Sequence, residues 1–206
     1  MDAALLKTSE LAFAEMLAKS GVELIQYRNK QASSRNLFET SLQLSRVLSA
    51  RGVRFIVNDR ADIAALVNAG GVHVGQDDLG VEEARAICGA PQWVGVSTHS
   101  LEQVERAART SADYIAVGPV FPTRTKENPD PVVGLNFIRQ ARAMTGKPLV
   151  AIGGIRAETA ADVYRAGADS VAVISDLMSA TDLPMRLRQY FDAAGQAGRK
   201  PVKDRE

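Results

Sequence analysis

The chain has 206 residues, of which 46% are hydrophobic and 24% are charged. These fractions are typical of a globular protein with a sizeable core, and they exclude a disordered or fibrous chain. The 25 Lys and Arg residues nearly balance the 24 Asp and Glu residues. Proteins that bind nucleic acids or membrane surfaces normally carry an excess of positive charge, so we expect neither partner.

The start of the chain and its cysteine content favour a cytoplasmic protein. Residues 1–20 carry an acid at position 2 and apolar residues at helical spacing, unlike the basic and then apolar segments of a signal peptide. No apolar run reaches the roughly 18 residues that a membrane-spanning helix requires. The single cysteine, Cys88, cannot form a disulfide within the chain, which suits a reducing compartment.

Short runs rich in β-branched residues alternate with longer amphipathic stretches. This alternation predicts an α/β fold, in which helices cover a mostly parallel sheet. Amphipathic spacing predicts helices over Leu37–Leu48 and Ser100–Ala108, the second with a capping box formed by Ser100 and Gln103. Seven strands are predicted, over Val22–Gln26, Val53–Val57, Val72–Val74, Trp93–Val96, Tyr114–Val117, Leu149–Ile152 and Ser170–Ile174.

Glycine recurs where a predicted helix passes into the next strand, at Gly21, Gly52, Gly70-Gly71 and Gly167. A glycine at this position can adopt the left-handed conformation that ends a helix. No linker rich in Pro, Gly or Ser interrupts these repeated units. We therefore predict a single domain over residues 1–194, followed by a polar tail over residues 195–206.

The first strand ends in an amide and two cations. Ligands of parallel α/β folds bind at the carboxyl ends of the strands, so these residues are candidates for a binding site. Gln26, Arg28 and Lys30 share one side of the chain if the segment stays extended. An Arg that binds two oxygens and a Lys that acts as a point charge often hold phosphate together. The alternative interpretation is a solvated basic loop.

Carboxylates follow the next two strands, at Asp59 and at Asp77-Asp78. Carboxylates at neighbouring strand ends can converge on Mg²⁺, which proteins hold with one or two carboxylates plus substrate phosphates. Asp59 could instead cap the following helix. His73 lies inside a predicted strand and is more typical of a packed residue than of a ligand.

The later strand ends carry hydroxyls, glycines and further cations. The segment Gly118–Lys126 has two prolines followed by alternating hydroxyls and cations, a composition that suits a second phosphate. Gly153-Gly154 could bring backbone N–H groups close to an anion, or could simply form a tight turn. Ser97 follows the fourth strand without the Gly-x-Ser-x-Gly context of a nucleophile, so we predict binding rather than a catalytic triad.

These motifs together resemble the thiamine phosphate synthase family, whose members are (β/α)8 TIM barrels. The resemblance covers roughly residues 20–178. It rests on ordered motifs of different composition, which are more specific together than any one of them alone. They are QYRNK at 26–30, ND at 58–59, GVHVGQDD at 71–78, GVSTHS at 95–100, GPVFPTRTK at 118–126, AIGGI at 151–155 and VAVIS at 171–175.

The resemblance implies a metal site and a site for a pyrimidine diphosphate substrate. Asp59 and Asp78 are implied as ligands of a Mg²⁺ cofactor. Arg28, Lys30 and Lys126 are implied as the catalytic cations. The residues implied to bind the diphosphate are Gln26, Tyr27, Arg28, Asn29, Lys30, Asn58, Ser97 and Lys126.

The reaction that the resemblance implies is a transfer in thiamine biosynthesis. The diphosphate leaves the pyrimidine as pyrophosphate, and the nitrogen of a thiazole phosphate captures the resulting carbocation. Negative charge grows on the leaving group, so cations rather than a general base would lower the barrier. The residues implied to bind the thiazole phosphate are Thr123, Arg124, Thr125, Gly154, Ile174 and Ser175.

The chain departs from the family pattern in three places. Tyr27 stands where the family more often has Leu, and Asn29 stands where it more often has Glu. The family opens with a strand, whereas residues 1–20 read as helix, so we expect the first strand to be missing or to be encoded upstream of Met1. A barrel typically takes about 250 residues, which makes this chain short for the fold.

Two other functions remain open at this point. A thiazole tautomerase-like isomerase would share the barrel and the thiazole phosphate site, and His99 keeps that alternative open. A catalytically impaired phosphate-binding barrel is a further alternative, because of the missing strand. The set of Arg28, Lys30, Asp59, Asp78 and Lys126 favours the synthase. Small-molecule substrates are the expected partners, and a homo-oligomer is left open as an alternative to a monomer.

Overall fold

A computed structural model describes residues 1–123 and 130–198. All seven predicted strands are confirmed within this part, with ends that differ from the prediction by at most two residues. They are β1 (Leu24–Tyr27), β2 (Arg54–Asn58), β3 (Gly71–Val74), β4 (Trp93–Thr98), β5 (Tyr114–Val117), β6 (Leu149–Ile152) and β7 (Ser170–Ala172).

Helices alternate with these strands, as the sequence predicts. The described helices are α1 (Glu10–Lys19), α2 (Ser34–Ser49), α3 (Ala61–Leu66), α4 (Val81–Cys88), α5 (Leu101–Ala108), α6 (Gly134–Met144), α7 (Ala157–Arg165), α8 (Ser175–Met178) and α9 (Leu183–Gln196). None of them is long and apolar enough to cross a membrane.

The chain divides into two compact units, Met1–Val96 and Ser97–Glu206, the second of which includes the undescribed residues 124–129 and 199–206. In the first unit, β1 pairs with β2, β2 with β3 and β3 with β4, all in parallel. In the second unit, β5 pairs with β6 and β6 with β7, also in parallel. Each unit thus repeats one pattern, a strand followed by a helix. The prediction of a single domain over residues 1–194 stays a prediction.

The cores of both units form where helices bury one apolar stripe against the sheet. In α2, Leu37, Leu44 and Leu48 are buried, and the helix packs on β2. Their spacing of seven and four residues places them on one side of the helix. In the second unit, Ile138 of α6 and Val163 of α7 are fully buried in the same way.

The first residues of the chain lie along the free edge of β1. Asp2 forms a parallel bridge with Arg28, in which Ala3 N donates to Arg28 O at 2.9 Å and Arg28 N donates to Met1 O at 3.1 Å. A short 3-10 helix follows at Ala3–Leu5, and α1 begins only at Glu10. The described residues ahead of β1 therefore hold a single bridge in place of a full strand, and only the second half of residues 1–20 forms the predicted helix.

Gly71 has a different role from the one that its sequence context predicts. The left-handed residue after α3 is Asn68, with φ of 49°, so the glycine pair does not end that helix. Gly71 is instead the first residue of β3, where a Cβ atom would lie 2.2 Å from Trp93 O on β4. The requirement for glycine here comes from the close approach of two strands.

His73 gives the first unit a pH-dependent contribution to its stability. The ring is 7% exposed in β3, and burial lowers its pKa to about 4. An unfolded histidine titrates near pH 6.5, so on acidification the unfolded chain takes up the proton first. This contribution is therefore complete above pH 6.5 and declines as the pH falls toward 4, by up to about 3 kcal/mol.

We expect urea unfolding to show this decline between pH 7 and pH 4.5, and the decline to be smaller in His73→Gln. An NMR titration of the wild-type His73 ring measures its pKa directly and needs no variant. We expect the ring to stay neutral well below pH 6. An equal decline in both proteins, or a ring that protonates near pH 6.5, would contradict the prediction.

Candidate active site

The polar residues at the end of β1 divide between two sides of the strand. Tyr27 is 1% exposed, and its hydroxyl donates to Glu10 Oε1 of α1 at 3.3 Å and accepts from Asn29 Nδ2 at 3.1 Å. Side chains alternate along a strand, so Gln26 and Arg28 lie on the side opposite Tyr27. Tyr27 and Asn29 thus face the helical layer. Of the residues implied to bind the diphosphate, Tyr27 and Asn29 therefore lie on the opposite side of the strand from Gln26 and Arg28.

Arg28 forms an ion pair with Asp2, a residue that lies outside every motif described above. Arg28 Nη1 lies 2.5 Å from Asp2 Oδ2, and the Asp2 side chain is only 3% exposed. A buried carboxylate in a pair with a guanidinium fixes where that guanidinium lies. Asp2 therefore positions one of the three predicted catalytic cations.

Lys30, Asp59 and Asp78 come together at the ends of β1, β2 and β3. Lys30 Nζ lies 2.7 Å from Asp59 Oδ2. Asp78 interacts with the Asp59 carboxyl group and accepts a hydrogen bond from Gly75 N at 2.7 Å. Asn58, the last residue of β2, is half-buried beside them in the chain. The first unit thus gathers one ammonium and two carboxylates at the place where the sequence predicts a metal and a phosphate.

Asp59 has an unusual backbone conformation and a carboxyl group with a raised pKa. Its φ is 64°, a left-handed conformation that Asp tolerates better than most residues, and its N–H donates to His73 O at 2.8 Å. Burial raises the pKa of Asp59, Asp78 raises this pKa further, and Lys30 opposes the shift. Backbone strain and a perturbed pKa both concentrate at functional sites. Asp59 is not an N-cap, since Arg60 precedes α3 directly.

No group of three or more His, Cys, Asp or Glu side chains in the described ranges is arranged to hold a metal ion. Asp59 and Asp78 form a pair, which is the number of carboxylates typical of Mg²⁺ sites completed by substrate phosphates. These two residues fit such an ion for a further reason. Their mutual interaction raises the pKa of Asp59, and a nearby divalent cation would relieve that repulsion.

The end of β4 lies in the second unit and carries Ser97, Thr98 and His99. Thr98 is fully buried, and its hydroxyl donates to Ala116 O at 2.8 Å, so it is structural. His99 Nδ1 lies 2.5 Å from Gly118 O, and Nε2 lies 3.4 Å from Asp130 Oδ2. Because a carbonyl oxygen only accepts, Nδ1 carries a proton, and both ring nitrogens face protein oxygens.

The predicted capping box at α5 is confirmed only in part. Ser100 Oγ accepts from Gln103 N at 3.3 Å, as expected of an N-cap. Gln103 Oε1, however, accepts from the backbone N–H of His99 at 2.6 Å, one residue before the cap. This contact fixes the backbone of His99 in the turn after β4.

The segment after β5 is bound to the end of β6. Val120 N donates to Ile152 O at 2.9 Å, and Phe121 N donates to Gly153 O at 3.1 Å. Gly154 has φ of 65°, and a Cβ atom there would lie 2.5 Å from Pro122 O. Glycine is therefore required at position 154 for two reasons. Its backbone is left-handed, and the segment that leads to Thr123 packs against it too closely for a side chain.

The remaining predicted residues of the thiazole phosphate site fall in two places. Ile174 precedes α8 with φ of −120° and ψ of −78°, and Ser175 is the exposed first residue of that helix. Thr123 is half-buried at the edge of the described range. The predictions for Arg124, Thr125 and Lys126 lie outside the described residues.

The fold and these strand ends define a class of protein: an α/β chain of the TIM-barrel type that presents cations, carboxylates and a glycine turn suited to phosphate substrates. A family model described as Thiamine monophosphate synthase matches residues 1–177. A thiamine-phosphate synthase of Koribacter versatilis is 52% identical over 166 residues, which cover 81% of this chain and 78% of that protein. The corresponding protein of Chloroflexus aurantiacus is 45% identical over 181 residues, which cover 88% and 83%.

A solved structure is similar over nearly the whole chain. The thiamine phosphate pyrophosphorylase from Pyrococcus furiosus superposes with a TM-score of 0.86 at 33% identity, covering 95% of this chain and 94% of that one. This similarity confirms the α/β fold of the TIM-barrel type. The chain belongs to the thiamine monophosphate synthase family.

Proposed function

We propose that the chain is a thiamine phosphate synthase, a transferase that joins a hydroxymethylpyrimidine diphosphate to a thiazole phosphate and releases pyrophosphate. Family membership over residues 1–177 carries this proposal. The cluster of Lys30, Asp59 and Asp78 supports it, because a phosphate substrate and a divalent cation together require both signs of charge.

The diphosphate is assigned to the side of β1 that faces away from the helical layer. Gln26 offers an amide, Arg28 a guanidinium and Lys30 an ammonium at alternate positions. Asn58 supplies a second amide from the next strand. Ser97 and Lys126 are assigned to the diphosphate by the family resemblance alone. Tyr27 and Asn29 contribute indirectly, because their hydrogen bonds to each other and to α1 hold the end of β1 in place.

Asp59 and Asp78 would hold Mg²⁺. When bound, the ion would neutralise charge on the diphosphate leaving group. Lys30, 2.7 Å from Asp59, would place its ammonium beside the same group. Asp2 would keep the Arg28 guanidinium in position without a change of conformation during the reaction.

The thiazole phosphate is assigned to the turns after β6 and β7 and to the segment after β5. Gly154 lies in the turn after β6, and Ser175 begins α8 after β7. The other residues of the proposed set are Thr123, Arg124, Thr125 and Ile174. In TIM barrels a phosphate commonly binds at the loops after the last two strands, next to a short extra helix. The four-residue α8 that begins at Ser175 follows β7 in this way.

The tautomerase alternative receives less support. His99 would have to exchange protons with a thiazole, but its Nδ1 faces Gly118 O and its Nε2 faces the Asp130 carboxylate. A tautomerase also has no need for the Lys30, Asp59 and Asp78 cluster. We further propose that the substrates are small molecules only and that the protein acts in the cytoplasm.

Pyrophosphate release tests the function. We expect pyrophosphate when the pyrimidine diphosphate, the thiazole phosphate and Mg²⁺ are mixed with the protein. Omission of either substrate, or addition of a chelator, should abolish the signal. Isomerisation of the thiazole without pyrophosphate release would favour the tautomerase, and no reaction at all would favour a non-catalytic phosphate-binding protein.

A further inference from the structure

A buried tyrosine joins the two turns to which we assign the thiazole phosphate. Tyr190 of α9 is 4% exposed. Its hydroxyl oxygen lies 3.2 Å from Ile155 O and 2.7 Å from Asp176 Oδ2. Ile155 directly follows Gly154 after β6, and Asp176 directly follows Ser175 after β7. One hydroxyl group therefore contacts the chain neighbour of a proposed phosphate-binding residue in each turn.

The chemistry of this hydroxyl makes it a permanent donor. A phenol has one proton, and both partners only accept, so the two acceptors share a single O–H. Burial raises the pKa of Tyr190 far above its usual range, and the Asp176 carboxylate raises it further. The hydroxyl thus stays protonated over the whole physiological pH range, and the shorter contact, to Asp176, is the charge-assisted one.

The same helix braces the neighbouring elements. Arg186 lies one turn before Tyr190 on α9, and its Nη1 pairs with Glu158 Oε1 of α7 at 2.7 Å. Arg186 Nε also lies 3.7 Å from Asp176 Oδ2. The Asp176 carboxylate is thus approached by a hydroxyl and a guanidinium from one face of α9. Contacts from α9 therefore reach the second residue of α8, just after the turn that follows β7.

We propose that Tyr190 is a positioning residue for the thiazole phosphate, acting through Ile155 on the Gly154 turn and through Asp176 on the Ser175 turn. This inference rests on the assignment of that phosphate under the proposed function. Residues far from the reacting atoms can matter in this way, because a shift of about 1 Å in a binding group can cost up to about 100-fold in rate.

Tyr190→Phe tests the role, because it removes the oxygen and keeps the buried ring. The loss of a hydrogen bond to a charged group should raise KM for the thiazole phosphate about tenfold. We expect kcat and KM for the pyrimidine diphosphate to change by less than about twofold, since the affected turns hold only the other substrate. A merely structural role would lower the melting temperature without separating the two KM values.

Asp176 provides the matched variants. Asp176→Asn keeps an acceptor oxygen for the tyrosine and should retain most of the affinity for thiazole phosphate. Asp176→Ala should resemble Tyr190→Phe, and the double variant Tyr190→Phe/Asp176→Ala should lose little more than either single one. Fully additive losses would contradict a shared contact.

Calorimetric titration with the thiazole phosphate separates this inference from the proposed function, because binding needs no turnover. If the wild-type protein binds the thiazole phosphate but releases no pyrophosphate, the synthase proposal is overturned. The role of Tyr190 is then tested by the Kd for the thiazole phosphate in the wild type and in Tyr190→Phe. An unchanged Kd in Tyr190→Phe would overturn the inference, as would equal losses for both substrates or no binding by the wild type.

Discussion

Asp59→Asn is expected to slow pyrophosphate release by about two to three orders of magnitude, the range found when one preorganised charge-stabilising group is removed. The substitution keeps the size of the side chain and removes its negative charge. The neutral amide would be a poor ligand for Mg²⁺ and a poor partner for Lys30, whose Nζ lies 2.7 Å from Asp59 Oδ2 in the wild type. Steady-state kinetics at several Mg²⁺ concentrations measure the maximal rate and the Mg²⁺ concentration that gives half of it. We expect the variant to need more Mg²⁺ than the wild type for half-maximal rate.

Asp62→Asn is the matched control for this experiment. Asp62 lies three residues further along the chain, is exposed and pairs with Arg60 at 2.6 Å. The substitution therefore removes the same charge from a surface ion pair, which is worth little. Its kinetics should equal those of the wild type. If Asp59→Asn shows wild-type turnover and an unchanged Mg²⁺ requirement, the assignment of Asp59 is wrong.

Arg28→Ala is the second change with a large expected effect, again about a hundredfold to a thousandfold in kcat/KM. The Arg28 guanidinium would contact the diphosphate as charge grows on it. The same substitution leaves the nearly buried Asp2 carboxylate unpaired, which is strongly destabilising. Activity and stability therefore have to be measured separately, by kinetics and by urea unfolding.

Two further variants separate these effects. Asp2→Asn/Arg28→Ala removes the unpaired charge, so we expect it to recover stability but not activity. Arg51→Ala breaks an exposed pair of similar length, with Glu15 at 2.9 Å, and should leave activity unchanged. Recovery of turnover in the double variant would contradict a catalytic role for Arg28.

The strands and the candidate site residues are predictable because their signals are local. Val53–Val57 and Tyr114–Val117 are short β-branched runs between turn residues, and each becomes a strand. Asp59 stands out because it comes directly after β2, and Asp78 stands out because it lies in the polar segment that follows β3. Parallel strand ends meet at one edge of a sheet, so order along the chain already predicts that these two carboxylates come together.

The supporting residues are not predictable in this way. Asp2 pairs with Arg28 across 26 positions of sequence, and Tyr190 reaches Ile155 across 35. A tyrosine on an amphipathic helix looks like any core residue until its hydroxyl has a partner. The left-handed backbone of Asp59 is not predictable from the local sequence for a similar reason, since its N–H donates to His73 O on another strand.

The start of the chain shows how tertiary pairing changes a local prediction. Residues 1–20 have helical spacing, yet Asp2 forms a bridge to Arg28 because the edge of β1 offers unpaired backbone groups. A carboxylate that looks like an ordinary polar residue near the start of a helix then becomes the partner of a predicted catalytic cation. The departure from the family pattern is thus located beside the proposed diphosphate site.

Formation of thiamine phosphate tests the central claim most directly. The wild-type protein should be incubated with both substrates and Mg²⁺, and thiamine phosphate and pyrophosphate should be quantified in the same samples over time. We predict one thiamine phosphate for each pyrophosphate released, because the thiazole nitrogen captures the carbocation. Pyrophosphate without thiamine phosphate, or neither product, would contradict the proposal that this chain is a synthase.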